Sequence, residues 1–567
     1  MNVASVVLPA AATVAVIALV ACQAAPAPET QVAATTVPPS PTAAPTPDAA
    51  PLSLGPITAQ TVLVDQVGYL PTLPKTAVVT GSDAASADTF QLVDTRTDRA
   101  VFAGRVGALT KDSDTGQPLR SADFSSFTES GSYTVVVPGV GRSPEFRIGT
   151  DVYAQLGRDA LDSYEQLAVL APKGWQTASV KDRTSNQTVN VTGGWPDAGD
   201  YGRYMPSAAS ALGTLLLVDD LFPQQAQADA LSVLKRELDW VLTMQRSDGS
   251  VYHKVTPLQF GGFDKNSDNI GGQLYAFDPN TADAAVFAAI AAEAARVYSA
   301  SDATYSAQLL AAAQKSWSYL SQQPKAILPP ELEGTGGYVY GGDSSQRFWA
   351  AAELYKTTGD PSYGQYVSDY VARRSPSIGL LGWTNTDTYG LLSLAFNDAA
   401  DPALRARITG NLVQWADGTV TSVTSPINPW SDSVSEFHWA SNKTGLDNAV
   451  LLLIANRAAP NVRYVAAANE QLHFVLGRNA LAKSFVTRYG TNTVQNPHNR
   501  TMFVIGRLVP GVLVGGPNGD GQDGITPTAQ GQRSYVDQLQ AYASNENSVE
   551  YNAPLVFVTS VLAATAS

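Results

Sequence analysis

Three segments of the chain gather acidic, aromatic and amide side chains in patterns suited to acid–base chemistry. The first is Gly193-Gly194-Trp195-Pro196-Asp197-Ala198-Gly199-Asp200-Tyr201, just before a helix expected near 206–219. Two carboxylates three residues apart, separated by Ala-Gly, can converge on one small point, as a general base and a second water-holding group require. The same pair would also suit a helix cap or a calcium ion. The second runs from Ser484-Phe485-Val486-Thr487-Arg488-Tyr489-Gly490 to Pro497-His498-Asn499-Arg500. Here His498 and Arg500 could donate hydrogen bonds to hydroxyls such as those of a sugar, or simply staple the loop. The third holds Tyr535-Val536-Asp537, Tyr542, Asn545-Glu546-Asn547-Ser548 and Tyr551-Asn552-Ala553-Pro554, ahead of an apolar helix near 554–565. A lone Glu before a helix is usually a cap or a solvated charge. A Glu framed by Tyr, Asn and a nearby Asp is a candidate for a perturbed pKa.

Other chemistries fit less well. The chain has four histidines and one cysteine, and His253, His438 and His473 stand in unrelated contexts. No His/Cys cluster has zinc spacing, so a zinc hydrolase is a poor reading. The formal net charge of -14 would repel a phosphate polyanion, which excludes nucleic acid as a partner but leaves neutral polysaccharides unaffected. With 44% hydrophobic and 15% charged residues over 567 positions, the chain reads as well-buried and globular, with more than one domain.

Elements that position these segments follow from the pattern along the chain. Residues 4–21 form an apolar run ending at Cys22, which resembles a lipoprotein signal: a short export segment, small residues at the cut and a thiol to acylate. A plain secretory signal or an N-terminal membrane helix is the alternative, and no Lys or Arg precedes the run. Residues 23–56 are rich in Ala, Pro and Thr and read as a semi-extended spacer. From 57 to 149, short β-branched runs separated by Gly, Pro, Asp and Ser predict a small β-sandwich. Its strands are expected at Thr61–Val64, Lys75–Thr80, Phe90–Val93, Val101–Val106, Gly131–Val137 and Glu145–Ile148. From 150 onward the pattern is helical to the end. Leu231, Leu234, Leu238, Val241 and Leu242 share one helical face, and further helices are expected near 281–299, 303–321, 345–358, 445–457 and 460–476. A large α-helical toroid following the sandwich is the predicted architecture.

Taken together, the three segments resemble the signature regions of family 9 glycoside hydrolases, the endoglucanase or cellulase family with an (α/α)6 barrel. Val64-Asp65-Gln66-Val67-Gly68-Tyr69-Leu70-Pro71 resembles the opening of the immunoglobulin-like domain that precedes the barrel in one branch, and Asp123–Phe127 and Phe146–Ile148 fit the same domain. Leu476-Gly477-Arg478-Asn479 and Gly511–Pro517 resemble further family segments. The resemblance implies an inverting hydrolase of β-1,4-glucosidic bonds in which Asp200 activates water and Asp197 helps to hold it. It further implies that Glu546 protonates the leaving oxygen, that His498 and Arg500 contact the sugar, and that Asp537 orients or tunes Glu546. Departures from the family pattern are Pro196 where His or Tyr is frequent, Arg203 for Lys, Asn499 for a second histidine, and Arg488 for a common glycine. With Cys22 its one cysteine, the chain also lacks the zinc-cysteine site that some relatives carry in the barrel.

Sugar rings stack on aromatic faces, so Trp383, Trp430, Trp439 and Tyr489 are candidate platforms, with Tyr201 and Tyr551 as further substrate contacts. No cofactor is required; the acidic loops allow a structural calcium without forming a recognisable calcium motif, and metal content is left open. The expected substrate is a β-glucan polysaccharide or oligosaccharide. The expected location is the bacterial cell surface, with membrane contact only through lipid on Cys22. The main alternative is an exo-acting hydrolase of cellodextrins or glucosamine oligosaccharides, since the predicted final helix leaves no length for a C-terminal cellulose-binding module. A non-catalytic glycan-binding lipoprotein is a third reading.

Overall fold

The computed structural model describes residues 61–264, 269–328 and 335–565. The spacer and Cys22 lie outside them. Residues 61–148 form two packed sheets. One runs in the order Val62–Leu63, Thr76–Thr80, Pro118–Asp123, Thr110–Lys111; the other in the order Gly68–Tyr69, Phe146–Ile148, Gly131–Val137, Thr89–Asp94, Arg99–Arg105. Val79, Phe90, Leu92, Phe124, Tyr133, Val135 and Phe146 fill the space between them, and Tyr69 meets Phe124 and Phe146 edge-on at 5.2 and 5.1 Å. Four strands were not legible in the sequence, two of them the two-residue Thr110–Lys111 and Gly141–Arg142. Pro118–Asp123 mixes Pro, Arg and Asp into its alternation, and Gly68–Tyr69, read as a turn, pairs in parallel with Arg147–Ile148.

The helices alternate between two rings. In chain order they are α1 (Ala154–Leu170), α2 (Met205–Leu221), α3 (Ala230–Met244), α4 (Thr281–Tyr298), α5 (Ala303–Gln322), α6 (Ser344–Thr358), α7 (Pro361–Arg374), α8 (Asp387–Ala395), α9 (Pro402–Val423), α10 (Ser441–Ala458), α11 (Val462–Val475) and α12 (Val549–Thr565). The even-numbered helices are inner. α2, α4 and α10 are buried on nearly every face, as befits a helix surrounded by others. Within this ring α2 packs on α4, α4 on α6, α6 on α8 and α10 on α12, which closes on α2. The outer helices α5, α7, α9 and α11 each cover the inner helix beside them in sequence, and α1 covers α12. Alanine-rich α4 suits such a position, because small side chains allow close approach without loss of helix propensity.

The helical half is not purely helical. A five-stranded sheet of Thr188–Val189, Val180–Asp182, Leu274–Ala276, Lys254–Thr256 and Arg203–Tyr204, in that order, forms from the segments flanking α2 and α3. Its strands are two or three residues long, too short for an alternating pattern to declare itself. The last helix begins at Val549, so Pro554 lies inside it rather than opening it. Among the described residues no helix is long and apolar enough to cross a membrane.

The sandwich is bonded to the barrel through the Asp65-Gln66 segment. Gln66 donates from its backbone N to the Leu476 carbonyl (3.0 Å) and from Nε2 to that of Ala482 (2.7 Å), while its Oε1 accepts from the backbone N of Thr491 and Asn492. Asp65 Oδ2 lies 2.9 Å from His473 Nδ1 and accepts from the Tyr153 hydroxyl at 3.0 Å. Trp430, a candidate sugar platform by sequence, is instead buried at this junction with Leu63, Val78, Leu119 and Ala482. It is an apolar contact, and it does not line the cleft that gathers the acidic residues.

Candidate active site

One end of the barrel holds a cleft of about 690 Å³, lined by Asp197, Asp200, Tyr204, Phe260, Tyr338, Trp383, Trp439, His498, Arg500, Tyr542, Glu546, Glu550 and Tyr551. These residues have a common origin. Asp197 and Asp200 precede α2, Phe260 lies in the passage to α4, and Tyr338 precedes α6. Trp383 precedes α8, Trp439 precedes α10, and Glu546 precedes α12. Every inner helix thus delivers its preceding segment to the same rim, while His498 and Arg500 arrive on the long excursion between α11 and α12. Loops carried by a rigid scaffold are the usual seat of function.

Asp197 and Asp200 do not cap α2, whose N-cap is Tyr204 with no side-chain hydrogen bond. Asp197 is held from both sides: its N–H donates to the Gly202 carbonyl (2.9 Å), and its carbonyl accepts from Val549 N (2.7 Å) at the start of α12. Its Oδ2 accepts from the Tyr338 hydroxyl at 2.6 Å. Burial, aided by the negative charge of Asp200, pushes its carboxyl up to about 8. Asp200 is also raised by burial, but four groups favour its ionised form: the Gly202 N–H, Arg500, the Tyr204 hydroxyl and Lys254. Tyr204 lies 3.4 Å from Asp200 Oδ2. Burial thus raises both carboxyls, while the donors and cations around Asp200 favour its charged form.

Glu546 reaches this pair across 347 residues of sequence, its Oε1 accepting from Gly199 N at 3.0 Å. A Cβ on Gly199 would fall 2.2 Å from the His498 carbonyl oxygen and 2.7 Å from Glu546 Oε1, so the Ala-Gly-Asp spacing is dictated by close approach. Burial, then Asp200 and Asp197, raises Glu546 well above the usual carboxylate range. Its neighbour His498 donates from Nδ1 to the Leu539 carbonyl at 2.6 Å, which turns Nε2 toward Glu546 Oε1 at 3.9 Å. Burial lowers the His498 imidazole to about 4, so its neutral Nε2 is an acceptor within the cleft. Asn499 caps the short helix Arg500–Ile505 by accepting from Met502 N, and donates to Asn547.

Arg500 is spent mainly on backbone: Nη1 donates to Gly199 O (3.0 Å), and Nε and Nη2 to Gly261 O (3.1 and 2.8 Å). Its guanidinium stacks on Phe263 at 4.6 Å, and the same ring meets His498. Trp383 meets Tyr338 edge-on at 5.1 Å, while Trp439 is 41% exposed and donates from Nε1 to the Tyr551 hydroxyl at 2.6 Å. Those four, with Tyr204, Phe260 and Tyr542, form the aromatic walls.

Several sequence expectations are corrected here. Tyr201 does not face the cleft; it is buried against Trp175, whose indole N–H donates to its carbonyl. Tyr489 also points away, bonded to Asp159 on α1 at 2.7 Å. Asp537 makes no contact with Glu546. It accepts from Lys483 Nζ (2.7 Å) and from Gln495 and Asn496 N (2.9 and 2.8 Å), and so shapes the turn leading into His498. Arg488, where a glycine is common in the family resemblance, has φ of 65°, the left-handed region that glycine occupies at least cost. Tyr204, Phe260, Tyr338 and Glu550 were missed because they lie outside any short acidic motif. The Gly-Gly-Tyr-Val-Tyr-Gly-Gly run around Tyr338 was the one available signal. Among the described residues no group of three or more His, Cys, Asp or Glu side chains is arranged to hold a metal ion.

A helical barrel with buried carboxyls and aromatic walls in one cleft is an arrangement suited to a glycosidase. Residues 153–559 match the model of glycosyl hydrolase family 9 and residues 58–142 that of the cellulase N-terminal Ig-like domain, so the chain belongs to glycosyl hydrolase family 9. Among its relatives, Endoglucanase D of Acetivibrio thermocellus is 30% identical, over 88% of this chain and 82% of that protein. The Cellodextrinase of Butyrivibrio fibrisolvens is 32% identical, over 88% and 99%. The crystal structure of a metagenome-derived family 9 endoglucanase superposes with a TM-score of 0.83 at 33% identity, covering 88% of this chain and 98% of that one. The protein is a glycoside hydrolase of the endoglucanase type, an immunoglobulin-like domain followed by an (α/α)6 barrel.

Proposed function

We propose that this enzyme hydrolyses β-1,4-glucosidic bonds of cellulose-related β-glucans by a single displacement that inverts the anomeric carbon. The observation that carries the reading is the Gly199–Glu546 hydrogen bond, which brings a protonated acid onto the loop that bears the ionised base. Asp200 takes one proton from water, while Asp197 and Tyr338 hold that water's remaining hydrogen-bonding capacity. Glu546 gives its proton to the leaving glycosidic oxygen. Water attacks as that bond breaks, leaving Asp200 protonated and Glu546 ionised until solvent resets both. Trp439, Trp383 and Tyr551 supply flat faces for sugar rings, and His498 Nε2 accepts from a sugar hydroxyl. The chemistry needs no organic cofactor; a calcium ion would have a structural role only. The lipoprotein-like run ending at Cys22 supports tethering at the outer surface of a bacterial cell, where a neutral polysaccharide or its fragments are met.

The deciding experiment is a product profile on carboxymethyl-cellulose, mixed-linkage β-glucan and cellohexaose, with the product anomer followed by NMR. Rapid viscosity loss and mixed oligomers of α configuration, absent in Glu546→Gln and Asp200→Asn, are expected. Hydrolysis retained in both variants would overturn the assignment. The cellodextrinase similarity favours a second reading, exo action on short chains. Its mark is a single short product from cellohexaose with polymer viscosity unchanged.

A further inference from the structure

A buried lysine stands beneath the cleft without touching its substrate space. Lys254, 2% exposed, lies on the strand Lys254–Thr256, where it pairs in register with Tyr204, four residues beyond the base. Its Nζ donates to Thr335 Oγ1 at 2.7 Å and to the Gly336 carbonyl at 2.8 Å. Its charge faces Asp200 from one side and the rings of Tyr204 and Phe277, at 5.7 and 4.9 Å, from the other. Next to it, His253 Nδ1 lies 2.6 Å from Asp283 Oδ2, and Asp283 Oδ1 accepts from the Tyr340 hydroxyl at 2.9 Å. Lys254 therefore grips the segment Thr335–Tyr340 at one end, and Asp283, bonded to the adjacent His253, holds it at the other. Between those anchors hangs Tyr338, with its hydroxyl on Asp197 and its ring 4.8 Å from that of Tyr204.

We infer that Lys254 is a positioning residue of the hydrolytic step: its ammonium pins Thr335 and Gly336 so that Tyr338 stays on Asp197, and it presents a positive charge to Asp200. The inference rests on the acid–base assignment above. The Gly336 backbone also lies against the Tyr204 hydroxyl, so Lys254 shares this end with the tyrosine it pairs with, while the contacts through Asp283 hold Tyr340. A group in this position acts through geometry and through the charge state of the water-holding pair, so it governs turnover more than binding. Displacement of a reacting group by about 1 Å costs on the order of 100-fold in rate.

The test uses the full chain with Lys254→Met, Lys254→Arg, Tyr338→Phe and the Lys254→Met/Tyr338→Phe double variant, assayed on cellohexaose across pH. Expected for Lys254→Met is a fall in kcat of about 30-fold or more with KM changed by less than about threefold. The acidic limb of its rate profile moves to higher pH, because Asp200 loses a cation and Asp197 a donor. Arginine restores part of kcat, and the double variant is no worse than the poorer single one. Additive losses in the double variant, or a kcat and acidic limb like the wild type, would overturn the inference. Should Lys254→Met not fold, Thr335→Ala removes the same contact from its other side: a parallel loss of kcat supports the inference, and an unchanged kcat and limb overturn it. Glu546→Gln runs alongside. If it retains hydrolysis, the acid assignment fails, which is a separate result from additivity at Lys254.

Discussion

At Asp200 and Glu546 the protein buries two carboxyls of one cleft in unequal electrostatic settings, raising both but Glu546 the further. Arg500 acts on both, but Glu546 faces the charges of Asp200 and Asp197 and receives one backbone N–H, whereas Asp200 receives the Gly202 N–H and the Tyr204 hydroxyl and faces Lys254. On the proposed assignment the rate requires Asp200 ionised and Glu546 protonated, and the expected profile is bell-shaped with both limbs above the ordinary carboxylate range. Replacing Glu546 with Gln is expected to lower kcat on cellotetraose by about a thousandfold. A substrate whose dinitrophenol leaving group needs no proton should lose much less, and comparing the two substrates checks the role of the acid. Glu237 offers a second test, on stability. It is buried, accepts from Trp195 N and is pushed up to about 8. A carboxyl with a raised folded pKa contributes stability that is present below its unfolded value near 4 and is lost as pH rises through 8. Glu237→Gln, which cannot ionise, is expected to lose less Tm than the wild type between about pH 5 and 8.

Among the elements, the segment Asp197–Gly202 is where spacing matters most. Gly199→Ala would press a Cβ into the His498 carbonyl and the Glu546 carboxylate, forcing apart the two loops that bring base and acid together. A kcat loss of about 100-fold with a Tm close to the wild type is expected, read by parallel kinetics and thermal melts. The same scale shows what a sequence can disclose. Helices with long apolar patterns, such as α4, α5 and α6, were legible to within a residue or two. α7, α8 and α9 were not, because their burial is narrow or their run short; on α7 only Tyr363, Val367, Tyr370 and Val371 are buried. The acidic pair and Glu546 were legible because each lies in a compact local motif. Lys254, Tyr204 and Tyr338 were not, because their meaning depends on a sheet pairing and a loop contact that join distant positions. Tyr201 and Tyr489 misled for the converse reason: a tyrosine beside a motif turns either way, and burial against Trp175 or a bond to Asp159 decided the matter.

On the scale of the whole molecule, the sandwich and the barrel share hydrogen-bonding groups that neither satisfies alone. Asp65 Oδ1 serves its own chain, accepting from Val67 and Gly68 N, while Oδ2 crosses to His473 and Tyr153. Removing one partner of a buried pair of this kind costs about 3–5 kcal/mol, so Asp65→Ala is expected to lower the unfolding free energy by that amount. Denaturant melts check the value, and a change below about 1 kcal/mol would mean that the junction carries little of the stability. The ring closure through α12 has a consequence in time. Asp200 is synthesised early and Glu546 only after 346 further residues, in the segment that leads into the helix completing the inner ring. On the proposed assignment a growing or prematurely released chain owns a base but no acid, so hydrolytic power is expected only once the last inner helix docks. Activity in a culture is in this sense a proofread signal, reporting chains translated to the end.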